Sequence, residues 1–250
     1  MLRTYGDVNL FGESFGEGKV RVLWLHGWAR HGDDFTAAAS SLARQGVASV
    51  TLDLPGFGAS PLPRSVGGAR YYAQLILPAV RQLADEPLVL VGHSFGGTVA
   101  AVVASQHPEL VASLVLTGAP LLRNPSGSPS PRAYRTIRWL HAQGLLSDER
   151  MERARQRYGS SDYRRAHGLL RDILVASVNE SYESELSELD VPVTLLWGEN
   201  DRDVPLDVAT RAGTMLRGSH SLLVLPGVGH LVPLEAPEEL TNAVVKALAQ

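Results

Sequence analysis

The 250-residue chain contains no cysteine. That excludes disulfides, a cysteine nucleophile, iron–sulfur clusters and cysteine-based zinc sites. Lysine is nearly absent: Lys19 and Lys246 stand against 21 arginines, which reads as a habit of composition. A net charge of −3 and a pI near 6.2 lack the basic excess of a nucleic-acid binder. No apolar run nears the ~18 residues of a membrane helix. The start, Met1-Leu2-Arg3-Thr4-Tyr5-Gly6-Asp7, has no apolar signal region and carries an early acid. A cytoplasmic, soluble protein with no nucleic-acid or membrane partner is therefore expected. With 44% hydrophobic residues and a small net charge, a folded rather than a disordered chain is expected. The length suits one large α/β domain, or one domain carrying an insertion.

Short apolar runs alternate with longer amphipathic stretches. Strands are expected at Val20 to Leu25, Val47 to Leu52, Leu88 to Val91, Leu114 to Thr117, Val193 to Trp197 and Leu222 to Leu225. Runs this uniformly apolar suit parallel strands covered on both faces. Helices are expected at Asp33 to Gln45, Ala69 to Ala84, Phe95 to His107, Leu206 to Arg217 and Pro237 to Ala249. Such alternation predicts a doubly wound parallel sheet. The first sixteen residues, rich in glycine, read as a leading hairpin. The breaker run Asn124 to Pro131 then interrupts the alternation, and about 50 residues with helical character but no strand signal follow it. Residues 121–187 are therefore expected to form a helical insertion in a core of 1–120 and 188–250.

Gly92-His93-Ser94-Phe95-Gly96-Gly97 joins the strand ending at Val91 to the helix beginning at Phe95. A serine at so sharp a strand-to-helix turn is strained, and its hydroxyl projects above the sheet. The helix N-terminus offers partial positive charge and a free N–H. A packing turn rich in glycine is the plainer alternative. Leu25-His26-Gly27-Trp28 ends another strand. The backbone N–H groups of Trp28 and Phe95 are the candidate donors for an oxyanion. Trp28 could equally be a core or pocket aromatic, and His26 is expected to brace its loop.

A serine hydroxyl needs a base, and the base an orienting carboxylate. Among eight histidines, His230 lies in Pro226-Gly227-Val228-Gly229-His230, just after a strand and so at the carboxyl edge of the sheet. His220 precedes that strand and lies at the wrong end. His31, His107, His141 and His167 read as surface or insertion residues, and the side chain of His93 is expected to point away. Gly198-Glu199-Asn200-Asp201-Arg202-Asp203 follows the strand ending at Trp197. Asp201 is the chosen acid, with Asp203 and Glu199 as rivals. The order Ser94, Asp201, His230 is the chain order of a serine triad on a sheet of this kind.

Together with Asp53-Leu54-Pro55-Gly56-Phe57-Gly58-Ala59-Ser60 and Gly229-His230-Leu231-Val232-Pro233-Leu234-Glu235-Ala236-Pro237, these motifs resemble the α/β-hydrolase superfamily over nearly the whole chain. The resemblance implies a Ser-His-Asp hydrolase that needs no cofactor or metal, with residues 121–187 as a helical lid after the sixth strand. Haloalkane dehalogenases and epoxide hydrolases carry Asp where this chain has Ser94 and are disfavoured. His26-Gly27-Trp28, the compact length and the Asp53 to Gly56 loop are most similar to the carboxylesterase group acting on pimeloyl-carrier-protein methyl ester. A carboxylesterase acting on a small-molecule ester through an acyl-enzyme is the expected function. C–C bond hydrolases, lyases, lactonases and perhydrolases share these motifs, and a non-catalytic receptor of the same fold is a further alternative.

The insertion hides a charge asymmetry. From Arg123 to Asp172 there are eleven arginines against five acids, a net +6, so the remainder of the −3 chain carries −9. A solvated arginine-rich helix face explains this, and so does a docking surface for an acidic partner such as a carrier protein. Trp139, Leu140, Leu145, Leu146, Leu169, Leu170, Ile173 and Leu174 are candidates for an acyl pocket or for the insertion's own core.

Overall fold

The computed structural model describes residues 1–122, 132–158 and 161–250. The expected breaker run at 124–131 lies outside the described residues. Eight strands form one sheet in the order β1-β2-β4-β3-β5-β6-β7-β8. The leading hairpin is present: β1 (Leu2–Tyr5) pairs antiparallel with β2 (Leu10–Phe15). β2 in turn lies antiparallel to β4 (Ala48–Leu52), and every other pairing is parallel.

The central strands are β3 (Val20–Leu25), β5 (Leu88–His93), β6 (Val111–Thr117) and β7 (Val193–Gly198). Their continuous apolar runs separate cleanly between two cores, because successive side chains leave a strand on opposite faces. Val22, Trp24, Val89, Val91, Val115 and Leu196 enter one core. Helices α1 (Thr36–Arg44) and α11 (Pro237–Ala247) cover that face. Leu23, Leu25, Leu88, Leu90, Leu114, Leu116, Leu195 and Trp197 enter the other. There α2 (Ala69–Leu83), α3 (Phe95–Gln106) and α9 (Leu206–Met215) pack. The fold is thus the mostly parallel sheet, covered by helices on both faces, that the strand–helix alternation predicts.

Several element boundaries differ from the sequence expectation, among them the start of β6, three residues early at Val111. The helix expected from Asp33 opens as a tight 3₁₀ turn, Gly32–Phe35, before α1 begins at Thr36. The Asp34 carboxylate is bonded there by Arg30 at 2.5 and 2.6 Å. β8 begins at His220, two residues early, so His220 sits inside the strand at its N-terminal end.

Between β6 and β7 the described residues form α4 (Arg132–Ala142), α5 (Asp148–Tyr158), α6 (Ser161–Arg165), α7 (Gly168–Asn179) and α8 (Glu183–Glu188). α8 returns to the core, where Arg70 of α2 clamps buried Glu185 through two nitrogens. Ile173 and Leu174 of α7 are buried, whereas Trp139 and Leu145 are 60% and 68% exposed and contribute to neither core nor pocket. After β8 (His220–Leu225) comes the short helix α10 (Val232–Glu235), then α11. The loops that follow β3, β5, β7 and β8 all emerge at one edge of the sheet, the carboxyl edge of its parallel strands.

Candidate active site

Ser94 is the single residue between β5 and α3, and its backbone is forced into φ 50°, ψ −118°. A side-chain-bearing residue held there stores about 1–3 kcal/mol of strain. Hydrogen bonds over-determine the turn. Ser94 N–H donates to Thr117 O at 2.8 Å, and Gly97 N–H donates to Ser94 O at 2.9 Å. Glycines make room for it. A Cβ on Gly96 would lie 2.2 Å from Leu25 O, and one on Gly92 would lie 2.5 Å from the Gly97 Cα. The glycine pattern around Ser94 is therefore a packing requirement of α3 against β3 and β5.

The loop after β3 reaches the same point. A Cβ on Gly27 would lie 3.2 Å from the Ser94 Cβ. His26 braces this loop, as expected: its Nδ1–H donates to Gly27 O at 2.7 Å, and its Nε2 accepts from Leu54 N–H at 2.9 Å. Burial pushes its pKa down to about 4, so the ring is neutral. Phe95 stands first in α3, where an N–H has no partner within the helix. Among the described residues neither its N–H nor that of Trp28 is used in a hydrogen bond. The Trp28 ring packs edge-on against Phe57 at 4.9 Å and Phe95 at 5.5 Å, so this residue is an aromatic at the margin of the core.

His230 Nδ1 lies 2.8 Å from Asp201 Oδ2. The other oxygen of Asp201 accepts the N–H groups of Asp203 and Val204 at 2.9 and 2.8 Å. The carboxylate is buried and aimed, and its bond assigns the Nδ1–H tautomer to His230, leaving Nε2 as an acceptor. The rivals do other work. Glu199 accepts Gly227 N–H at 3.1 Å, and Asp203 is exposed.

Three contributors escaped the sequence reading. Gly118, at φ +53°, lies under the pair: a Cβ there would stand 2.9 Å from His230 Nδ1 and 3.1 Å from Asp201 Oδ2. Glu235 straddles the histidine, accepting Gly229 N–H at 2.7 Å and Leu231 N–H at 3.0 Å. His93 does not point away. Its ring lies 4.8 Å from that of His230, and its Nδ1 is 2.9 Å from Thr117 Oγ1. Burial, aided by the charge of His230, pushes its pKa down to about 3, so it too is neutral. Gly118 stands in none of the sequence motifs, and Glu235 stands in the Gly229 to Pro237 motif with no role assigned to it. The strand-end position of Thr117-Gly118 and the acid five residues after His230 were the available signals.

From the segment between β6 and β7, α6 brings Asp162 within electrostatic range. Burial and Asp203 raise its pKa, while Arg165 and His230 oppose the shift. Leu170 of α7 meets the loop after β4: a Cβ on Gly56 would lie 2.9 Å from it. Among the described residues no three His, Asp or Glu side chains gather as metal ligands would. No described helix is long and apolar enough to cross a membrane. The arrangement offers a serine hydroxyl, an imidazole bonded to a buried carboxylate, and two backbone N–H groups that no described residue accepts.

The strain at Ser94 predicts that Ser94→Gly melts higher than Ser94→Ala. The difference should be about 1 kcal/mol in urea unfolding, since glycine adopts positive φ without the Cβ penalty. Equal stability of the two variants would remove strain from the account.

The sequence profile described as "Alpha/beta hydrolase family" matches residues 22–243. The chain is 27% identical over 263 residues to "Uncharacterized hydrolase YugF" of Bacillus subtilis (strain 168), covering 96% of this chain and 94% of that protein. It is 29% identical over 263 residues to the pimeloyl-[acyl-carrier protein] methyl ester esterase of Methylococcus capsulatus, covering 95% and 99%. The crystal structure of a serine hydrolase involved in carbazole degradation, the CarC enzyme, superposes with a TM-score of 0.75 at 20% identity, covering 100% and 98%. The chain belongs to the alpha/beta hydrolase family and is a hydrolase.

Proposed function

We propose that the chain is a carboxylesterase using Ser94, His230 and Asp201 as a catalytic triad. The observation that carries this reading is the 2.8 Å bond from His230 to a buried Asp201 at the sheet edge where Ser94 is held strained. His230 Nε2 takes the Ser94 hydroxyl proton as the oxygen attacks the ester carbonyl. Asp201 stabilises the imidazolium and keeps its orientation. The N–H groups of Trp28 and Phe95 receive the oxyanion, each worth ~2.7–4 kcal/mol by analogy with measured donors. His230 returns the proton to the leaving alcohol, then activates water to release the acid from Ser94.

In this reading residues 121–187 form a lid over the site, and 1–120 with 188–250 form the core. The nearness of Asp162 of α6 to His230, and of Leu170 to Gly56 in the loop after β4, supports it. The substrate is a small-molecule ester, and the arginine-rich lid also suits an acidic carrier protein. Arg135, Arg138 and Arg150 enter no ion pair among the described residues, whereas Arg153 and Arg171 pair with Glu149 and Glu152. No cofactor takes part in these steps.

Hydrolysis of p-nitrophenyl acyl esters of graded length should be readily measured, and Ser94→Ala should lower turnover by on the order of 10⁶. Retention of most activity in that variant would sink the nucleophile assignment. Turnover of diketones but not esters would move the chemistry to C–C cleavage. Gly118→Ala should lower kcat by about 10–100-fold with KM little changed, because the added methyl displaces His230 and Asp201 together. A kcat equal to wild type would separate Gly118 from the pair. If a carrier protein docks on the lid, ~0.5 M salt should depress turnover of a carrier-bound ester much more than that of a small ester, because screening acts on exposed charge. Equal salt sensitivity would remove the carrier.

A further inference from the structure

β8 closes one edge of the sheet, and it lacks every device that normally protects such an edge. Its six residues, His220-Ser221-Leu222-Leu223-Val224-Leu225, contain no lysine, no other fixed charge and no proline. Its register with β7 runs from Val193↔His220 to Gly198↔Leu225 without a bulge. Three successive apolar side chains are open to solvent: Leu222 at 36%, Leu223 at 37% and Val224 at 40%. The opposite edge is blunted. β1 is only four residues long and carries Arg3. Natural edges are usually shortened, charged or bulged, because unpaired N–H and C=O groups attract another strand.

The backbone of β8 says what that strand would be. Ser219 O accepts Val193 N–H and Leu225 O accepts Glu199 N–H, so the odd-numbered residues turn their backbone groups toward β7. The alternation of a strand then turns the N–H and C=O of His220, Leu222 and Val224 outward. These six groups are self-complementary about Leu222. Under a two-fold axis normal to the sheet, Leu222 exchanges both bonds with its own copy, and His220 exchanges both with Val224 of the other copy. Pro226, the next outward position, has no N–H and ends the ladder where the strand ends.

We propose that β8 is a homodimer interface, pairing antiparallel with β8 of a second copy to make one continuous sixteen-stranded sheet. The two-fold axis places the two carboxyl edges, and so the two Ser94 sites, on opposite sides of that sheet. Each site is complete within its own chain, so the dimer does not depend on the catalytic reading.

The full chain should sediment at twice its 26.9 kDa mass over a dilution series reaching ~100 μM. Leu222→Lys should shift it to the single-chain mass while leaving its melting temperature and small-ester turnover near wild type. Val245→Lys, at an equally exposed apolar position on α11, should remain a dimer. Amide exchange gives a second readout on the unaltered chain: the outward N–H groups of Leu222 and Val224 should be protected in concentrated samples and exchange fast on dilution. A wild-type chain that stays single at every concentration overturns the proposal. So does a dimer that survives Leu222→Lys, or fast exchange of these two amides within the dimer.

Discussion

No side chain fits between the first turn of α3 and the ends of β3 and β5. The Leu25 and His26 carbonyls lie where a Cβ of Gly96 would be, and Gly97 backbone occupies the position of a Gly92 side chain. This contact sets everything at the sheet edge. It brings the N-terminus of α3 up against the end of β3 and the loop that follows it. It also forces the one intervening residue, Ser94, out of ordinary backbone space. Ser94 stays partly open to solvent although the packing beneath it is tight.

The histidine side is built by different means. Four carboxylate bonds hold the loop from Pro226 to Leu231 in place. Glu199 holds Gly227, Asp201 holds the His230 ring, and Glu235 holds the backbone on both sides of that ring. The carboxylates come from two elements, the loop after β7 and α10. A rigid elbow thus faces a loop fixed by charge-assisted hydrogen bonds, which are the stronger kind.

What could be read from the sequence follows from this division. Strand periodicity was legible because the central strands are buried on both faces, and their apolar runs admit few other readings. Ser94, Asp201 and His230 were legible because each is a chemically distinctive residue just past such a strand, and the structure sets Asp201 and His230 in contact. Choosing Asp201 over Asp203 and Glu199 rested on position alone; the structure distinguishes them by burial and by which groups they accept. Gly118 was invisible because its contribution is the absence of a methyl, and absence has no signature without a neighbour to clash with. Glu235 was invisible because its partners are backbone N–H groups, which every residue possesses. His93 was misjudged because alternation along β5 shows that it is buried but not that His230 lies against it. Among the insertion's apolar residues, helical spacing could not separate buried Ile173 from exposed Trp139.

The two buried imidazoles also make the fold less stable in acid. In the unfolded chain each takes up its proton near pH 6.5; in the folded chain His26 does so only near 4 and His93 near 3. Between those values the unfolded state binds more protons, so each ring removes stability as pH falls, at about 1.4 kcal/mol per pH unit. Protonating His26 has a local cost too, since a proton on Nε2 would face the Leu54 N–H and set donor against donor. Acid therefore attacks the brace of the β3 loop, and the link from Gly27 through His26 to Leu54 would be lost first.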